Sequence, residues 1–453
     1  MNNLIIKAKD TSVILYSLFI GLVFIFDRSI IGFMIFGQQL GKLLVAVGFL
    51  ATFLFIFLRF YKIHLLKLNQ FSSTLNFLTL IVLTFFISLF LYKTDIFSAY
   101  TFKSSSYIWT ASIFFISFTV FMDINRYKKL MDFFIFPVLL IPFVHYIFST
   151  GYYPNFVMDF FIKYSDKFTF NKASDIMIAL VSINFLYFKV ENNKFYKLLY
   201  SVVSISLLLP LLLLMSRGSF LSALVFLFGI FIYNRRYLIS NFKISVIIIL
   251  IGGIVFTAST YNVGGVDFNF NPGIGEQTVQ PLDQTIQKIA KKHDTRKAFL
   301  SLYFENGRIV SHDNTTNWRL DIWQDVIEDM RNKGIILKGY GYNEIIPVML
   351  DPSAPGRLGR DGLNENVHNY FINILARGGL IQLLIFIYFH LSIIKSWHRK
   401  NNNFEILLYY IPIMLNSSLD ITMEGVQFPF IFYSMLGIFF HLQESLNRKV
   451  EDI

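Results

Sequence analysis

The sequence contains no cysteine, which excludes disulfides and thiolate chemistry without fixing a compartment. Charge is thin as well: Asp, Glu, Lys and Arg make up 15% of 453 residues, where a soluble globular protein carries about 25%. No stretch alternates apolar and polar residues at every second position, which argues against an outer-membrane barrel. The first apolar run ends in Asp27-Arg28 rather than a small-residue cleavage site, so no cleavable signal peptide is expected. No HExxH, paired-histidine or Asp-x-Asp cluster lies in the segments assigned below to the outer side, so no metal is expected. A glycine-rich phosphate loop ending in Lys-Ser or Lys-Thr is also missing, which removes ATP as a partner. The sequence therefore predicts no cofactor.

What is present is apolar. Hydrophobic residues make up 55% and aromatic residues 18%, with a mean hydropathy of +0.54. Apolar runs of about 17–22 residues recur, the length a helix needs to cross a bilayer. The expected fold is an all-α polytopic membrane protein with about 12 transmembrane helices. Their expected positions are 11–27, 39–60, 73–92, 105–122, 130–149, 173–190, 197–215, 218–234, 242–258, 378–395, 404–419 and 426–442. The expected division is residues 1–258 as spans one to nine, 259–367 as one large loop, and 368–453 as spans ten to twelve with the C-terminus.

Lysine and arginine set the orientation. With the N-terminus inside, the inner segments hold 19 of the 40 basic residues. The short outer segments hold eight: Arg28, Lys42, Lys93, Lys103, Lys163, Lys167, Lys172 and Arg217. Long loops escape the positive-inside bias, so this comparison decides, and both termini are expected in the cytoplasm. The formal charge of +11 then reflects topology and gives no reason to invoke nucleic acid.

The large loop is the soluble-looking part. Gly264-Gly265, Asn271-Pro272-Gly273 and Gly275 read as turns. Gln284 to Tyr303 reads as a basic amphipathic helix, either a solvated face or a surface apposed to anionic headgroups. Thr315 or Thr316 is placed to cap a second helix with Trp318, Ile322, Val326 and Met330 on its apolar face, stopped by Gly334. Pro352 to Gly356 and Gly359 to Gly362 read as a flexible stretch and a candidate lid.

Polar residues at the outer mouth carry the chemical signal. Asn366, Asn369, Asn373 and Arg377 fall three and four apart, the spacing of one helical face. His368 at its edge is a candidate general base or an ordinary helix-end residue. Gly378-Gly379 allows a bend or a close approach. The turn Met215 to Ser219 joins two apolar runs almost without a loop. Its Arg217 suits a phosphate partner or snorkels to headgroups. Arg319, among Trp318 and Trp323, suits a phosphate partner or is an exposed helix arginine. His145, Asp175, Asp420 and Glu424 are weaker candidates, explained equally well as interfacial or solvated groups.

Three elements resemble the O-antigen ligase and Wzy-type O-antigen polymerase superfamily, in the family's order. They are Arg217-Gly-Ser-Phe-Leu221 between two spans, Trp318-Arg319-Leu320-Asp321-Ile322-Trp323 followed by Gly339-Tyr340-Gly341-Tyr342-Asn343, and His368-Asn369 followed by Gly378-Gly379. The resemblance covers about residues 205–395. It implies a GT-C-like glycosyltransferase of the bacterial inner membrane with a periplasmic loop, working without metal or nucleotide. The implied donor is a glycan on undecaprenyl diphosphate. The implied acceptor is lipid A-core for a ligase or a second lipid-linked glycan for a polymerase, and the arginine turn leans to the ligase. Arg217 and Arg319 match the family's phosphate-binding arginines and His368 its base. Asn369, Asn373, Arg377 and Tyr340 complete the substrate-binding candidates. A flippase is the rival reading, but it would place ionisable groups near the bilayer midplane. A non-catalytic assembly partner would have no use for the Arg–Arg–His set.

Overall fold

The computed structural model describes residues 2–61, 68–122, 128–169, 171–264, 301–354, 356–358 and 365–451. It is built almost wholly of helices, as long apolar runs in a solvent without hydrogen bonds require. Among the described residues, seven helices are long and apolar enough to cross a membrane, and five further apolar helices are shorter. The first part holds α1 (Asn2–Ile31), α2 (Leu40–Phe60), α3 (Ser72–Leu91), α4 (Ala99–Ser104), α5 (Ser106–Thr110), α6 (Ile113–Val120), α7 (Lys128–Ser149) and α8 (Asn155–Tyr164). There follow α9 (Ala173–Val190), α10 (Lys194–Met215), α11 (Arg217–Tyr233), α12 (Arg235–Ser240) and α13 (Phe242–Val263). After the loop come α14 (Asn314–Asn332), α15 (Tyr370–Asn401), α16 (Leu407–Ser417) and α17 (Gln427–Glu451). The run expected at 105–122 is divided between α5 and α6, one reason several apolar runs yield helices below spanning length.

Helix α9 is the interior of the bundle. Nearly all its residues are buried, and it packs on α7, α10, α11, α16 and α17. In lipid, helix association depends on close packing and on polar side chains that find partners. Both devices are present. Gly48 lies against the Trp109 carbonyl, and Gly252 lies against Val202. Ser117 donates to the Ser434 carbonyl at 2.7 Å, and Ser259 to the Leu207 carbonyl at 2.6 Å. Helices α2 and α13 leave most of their residues uncovered, with Leu50, Phe57, Ile249 and Ile254 outward.

The helix ends sort into two groups. At one, Lys189 pairs with Glu405, and Arg399 donates to the Gln70 carbonyl at 3.0 Å. At the other, Arg28 pairs with Asp175 at 3.6 Å, Lys103 with Glu365 at 2.7 Å and Arg217 with Asp313 at 2.6 Å. These are the segments that the basic-residue count assigns to the inner and outer sides.

The described part of the loop differs from expectation in two places. Tyr303 ends no helix: β1 (Leu302–Glu305) pairs antiparallel with β2 (Arg308–Ser311) through Asn306-Gly307, both at positive φ, as a two-residue hairpin turn demands. The rest of the expected basic helix and the turns from Gly265 to Gly275 lie outside the described residues. Helix α14 is capped by Asp313, not by Thr315 or Thr316. The Asp313 carboxylate accepts from the Thr316 amide at 2.9 Å and hydroxyl at 2.6 Å. Between the two segments expected to flex, Arg357 is buried, bonds Asp325 and donates to the Val348 carbonyl at 2.9 Å; Pro355 and residues 359–364 lie outside the described set. As expected, Ile322, Val326 and Met330 face inward, into a small second core with Tyr340, Ile346 and Val367.

Candidate functional site

The site grows from a tight turn. Ser216 is extended and caps α11, its hydroxyl accepting from the Ser219 amide at 3.4 Å. That cap places Arg217 in the first turn of α11, where its guanidinium reaches Asp313 at 2.6 Å while 44% of the side chain stays exposed. Gly218 lets the turn sit against the end of α16, since a Cβ there would stand 3.0 Å from the Leu419 Cβ. Asn416 fixes the approach by donating to the Ser219 hydroxyl at 2.9 Å.

Ser418-Leu419-Asp420, just past α16, is the hub. Arg319 on α14 donates to the Leu419 carbonyl and lies 3.6 Å from the Asp420 carboxylate. Asn369 donates to the Ser418 carbonyl at 2.9 Å. His368 places its Nδ1 3.9 Å from Asp420, and Trp318 meets the imidazole edge-on at 5.0 Å. Arg217, Arg319, His368 and Asn369 are thus assembled around one short turn. The hub was legible in the sequence only as Asp420, a weak candidate, because an acid in a polar turn looks merely solvated.

His368 is not on a helix. Its φ is +56°, and Asn369 caps α15 by accepting from the Ile372 amide at 3.1 Å. Asn366, Asn369, Asn373 and Arg377 therefore do not share one helical face: the chain is irregular before Tyr370, and only Asn373 and Arg377 lie on α15. A left-handed histidine is strained, and such residues persist where their surroundings fix them. Here the Trp323 indole donates to the Val367 carbonyl at 2.7 Å on one side, and Asn369 is tied to Ser418 on the other.

Burial sets the charge states. It lowers the His368 pKa below the ordinary imidazole value; Arg319 and Lys172 lower it further, and Asp420 only partly opposes them. Burial alone would raise Asp420, yet contact with His368, the Arg319 charge and the Ile421 amide hold it below the usual carboxylate range. Asp313 follows the same pattern: burial is outweighed by Thr316 and Arg217, and the carboxyl stays low. The turn thus offers a neutral imidazole near the Arg319 guanidinium, which Asp420 holds, while Arg217 is held by Asp313.

Other candidates are used elsewhere. Arg377 is buried and donates to the carbonyls of Gly341 at 3.3 Å and Glu344 at 2.5 Å and to the Tyr100 hydroxyl at 2.9 Å. With Asn373 it lines a cavity of about 40 Å³ shared with Tyr100, Glu365 and Glu424. Burial pushes Glu424 up to about 8. Tyr340 donates to Asp329 at 2.6 Å, and its ring belongs to the second core. The Gly339–Tyr342 stretch docks on the break in α15, with Tyr340 N to the Ala376 carbonyl at 2.7 Å and Leu380 N to the Ile336 carbonyl at 2.9 Å. Gly379 makes the break at φ +74°, where a Cβ would overlap the Leu337 carbonyl. His145 and Asp175 are buried, on Asn171 and Arg28 respectively.

Residues 202–387 match a family described as O-antigen ligase. The chain carries an O-antigen ligase domain. The ligase domain contains Arg217, Arg319, His368 and both glycine motifs, while Asp420 lies beyond its matched end. No curated protein matches the chain. The match and the apolar helices together point to a membrane protein similar to the O-antigen ligases.

Proposed function

We propose that the protein is an O-antigen ligase-like glycosyltransferase of the bacterial inner membrane. It moves a glycan from undecaprenyl diphosphate to a hydroxyl of lipid A-core at the periplasmic face. The observation that carries this reading is the convergence of Arg217, Arg319 and His368 around the turn at Leu419-Asp420.

In the proposed step the acceptor oxygen attacks the anomeric carbon and the bond to the diphosphate oxygen breaks. The acceptor proton passes to His368, and undecaprenyl diphosphate leaves with the electron pair. His368 suits the base because burial keeps it neutral at physiological pH, where a charged imidazole could accept nothing. Arg217 and Arg319 suit the leaving group because a guanidinium matches two phosphate oxygens at once and meets charge as it develops. Asp313 and Asp420 hold the two forks in place before substrate arrives.

Reconstituted protein given a synthetic lipid-diphosphate glycan and lipid A-core, in EDTA and without nucleotide, should form ligated product. Transfer only onto a second lipid-linked glycan would make it a polymerase. Dependence on a divalent ion would overturn the mechanism.

A further inference from the structure

We propose that the cavity lined by Asn366, Asn373 and Glu424 is a sugar subsite, which takes an uncharged hydrogen-bonding arm of the glycan, a hydroxymethyl or acetamido group. Calling the ligand a glycan rests on the transferase reading; what is added is the part of the sugar recognised and the residues that recognise it. Four segments of chain meet there: the end of α4 with the start of α5, Glu365-Asn366, the first turns of α15, and the turn after α16. Asn366 stands two residues before His368 and Glu424 four after Asp420, so the cavity flanks the proposed base.

Three groups on its wall lack partners. Asn373 is only 3% exposed, yet its side-chain amide makes no hydrogen bond among the described residues. The Asn366 amide makes none there either. The Glu424 Oε2 accepts from the Thr422 amide at 3.1 Å, while Oε1 is buried with no partner among the described residues. Buried polar groups are nearly always hydrogen-bonded, so groups left open towards a cavity point to something that enters it. The cavity, about 40 Å³, has room for about three waters or for one short arm, and too little for a whole sugar ring.

The cations on the wall are already engaged. Arg377 donates to the Gly341 and Glu344 carbonyls and to the Tyr100 hydroxyl, and Lys103 pairs with Glu365. Burial pushes Glu424 up to about 8, which leaves its carboxyl mostly uncharged at neutral pH. What remains open is two amides and one carboxyl, each offering a donor and an acceptor. That set complements a hydroxyl or an acetamido group, and it offers no free charge to a carboxylate or a phosphate. The wall is also held from behind: Ser104 donates to the Tyr342 carbonyl at 2.9 Å, and Tyr107 donates to Gln382 at 3.1 Å. A cavity fixed in this way loses little to ordering when it is filled.

The test is saturation-transfer NMR of methyl glycosides on the full-length protein in phosphatidylcholine nanodiscs, with empty nanodiscs as the blank and variants of equal thermal stability. Methyl N-acetylglucosaminide carries both arms, and methyl xyloside carries neither. The first should bind and the second should bind about tenfold more weakly, with saturation strongest on the protons of an arm. N373L, which removes the amide and fills the cavity, should weaken the N-acetylglucosaminide about tenfold, and N366A, at a half-buried position, should weaken it in the same direction. The proposal falls if the xyloside binds equally well, if both asparagine variants bind like wild type, or if methyl glucuronide binds more tightly than the neutral sugar. It also falls if no glycoside binds, which would leave the cavity to water. Because no diphosphate, acceptor or turnover enters the measurement, failure of the transferase reading would show separately, as wild-type protein that binds the sugar and transfers nothing.

Discussion

At the scale of the residue, the decisive property of His368 is that it is held neutral while lying within reach of the Arg319 guanidinium. Its lowered pKa has a direct consequence for pH dependence. A base is lost when it protonates, so activity should fail as pH falls through the folded-state value. An unperturbed histidine titrates near 6.5; the acidic limb of kcat/KM should therefore lie below pH 6.5, and a limb above it would contradict this environment. Asp420→Asn removes the carboxylate that raises the His368 value, so it should move that limb lower still and slow turnover by loosening Arg319. The three site residues were legible in the sequence because a cation on the outer face and an imidazole at a helix mouth are conspicuous there. Asp313 and Asp420 were not, since their partners are brought to them only by folding.

At the scale of the element, the break in α15 organises the loop. Gly378-Gly379 was legible as a bend; what it serves was not, because the docking stretch lies far back in sequence at Ile336–Tyr342. Gly379→Ala combines a positive φ with overlap on the Leu337 carbonyl, so it should destabilise by about 1–3 kcal/mol. Gly253→Ala, where a Cβ meets nothing within 4 Å, should leave the melting temperature unchanged or slightly higher. Equal melting temperatures for the two variants would contradict the docking role. The start of α15 was misread for a related reason: helical spacing continues backward through Asn366, but the cap at Asn369 ends the helix. The β1–β2 hairpin was missed although Asn306-Gly307 is a strong turn signal, because the preceding lysines suggested a helix face.

At the scale of the molecule, hydropathy made the all-helical bundle legible, since span length and composition are fixed by the bilayer. Which helix is interior was not legible: α9 is no more apolar than its neighbours, and only packing shows it enclosed. The proposed orientation puts residues 301–367 outside the cytoplasm. Ser353→Cys, on a chain without native cysteine and at an exposed position, should react with a membrane-impermeant thiol reagent before the inner membrane is opened. Reaction only afterwards would invert the topology.

The central claim is a division of labour in which Arg217 and Arg319 hold the diphosphate and His368 takes the acceptor proton. The measurement that tests it most directly is donor affinity beside turnover, on purified variants with a synthetic lipid-diphosphate glycan. Arg217→Ala and Arg319→Ala should each weaken donor binding about ten- to hundred-fold, as loss of a charge-assisted contact implies. His368→Ala should bind donor like wild type while turnover falls about 10²–10⁴-fold. Normal turnover by His368→Ala, or undiminished donor affinity in both arginine variants, would contradict the account.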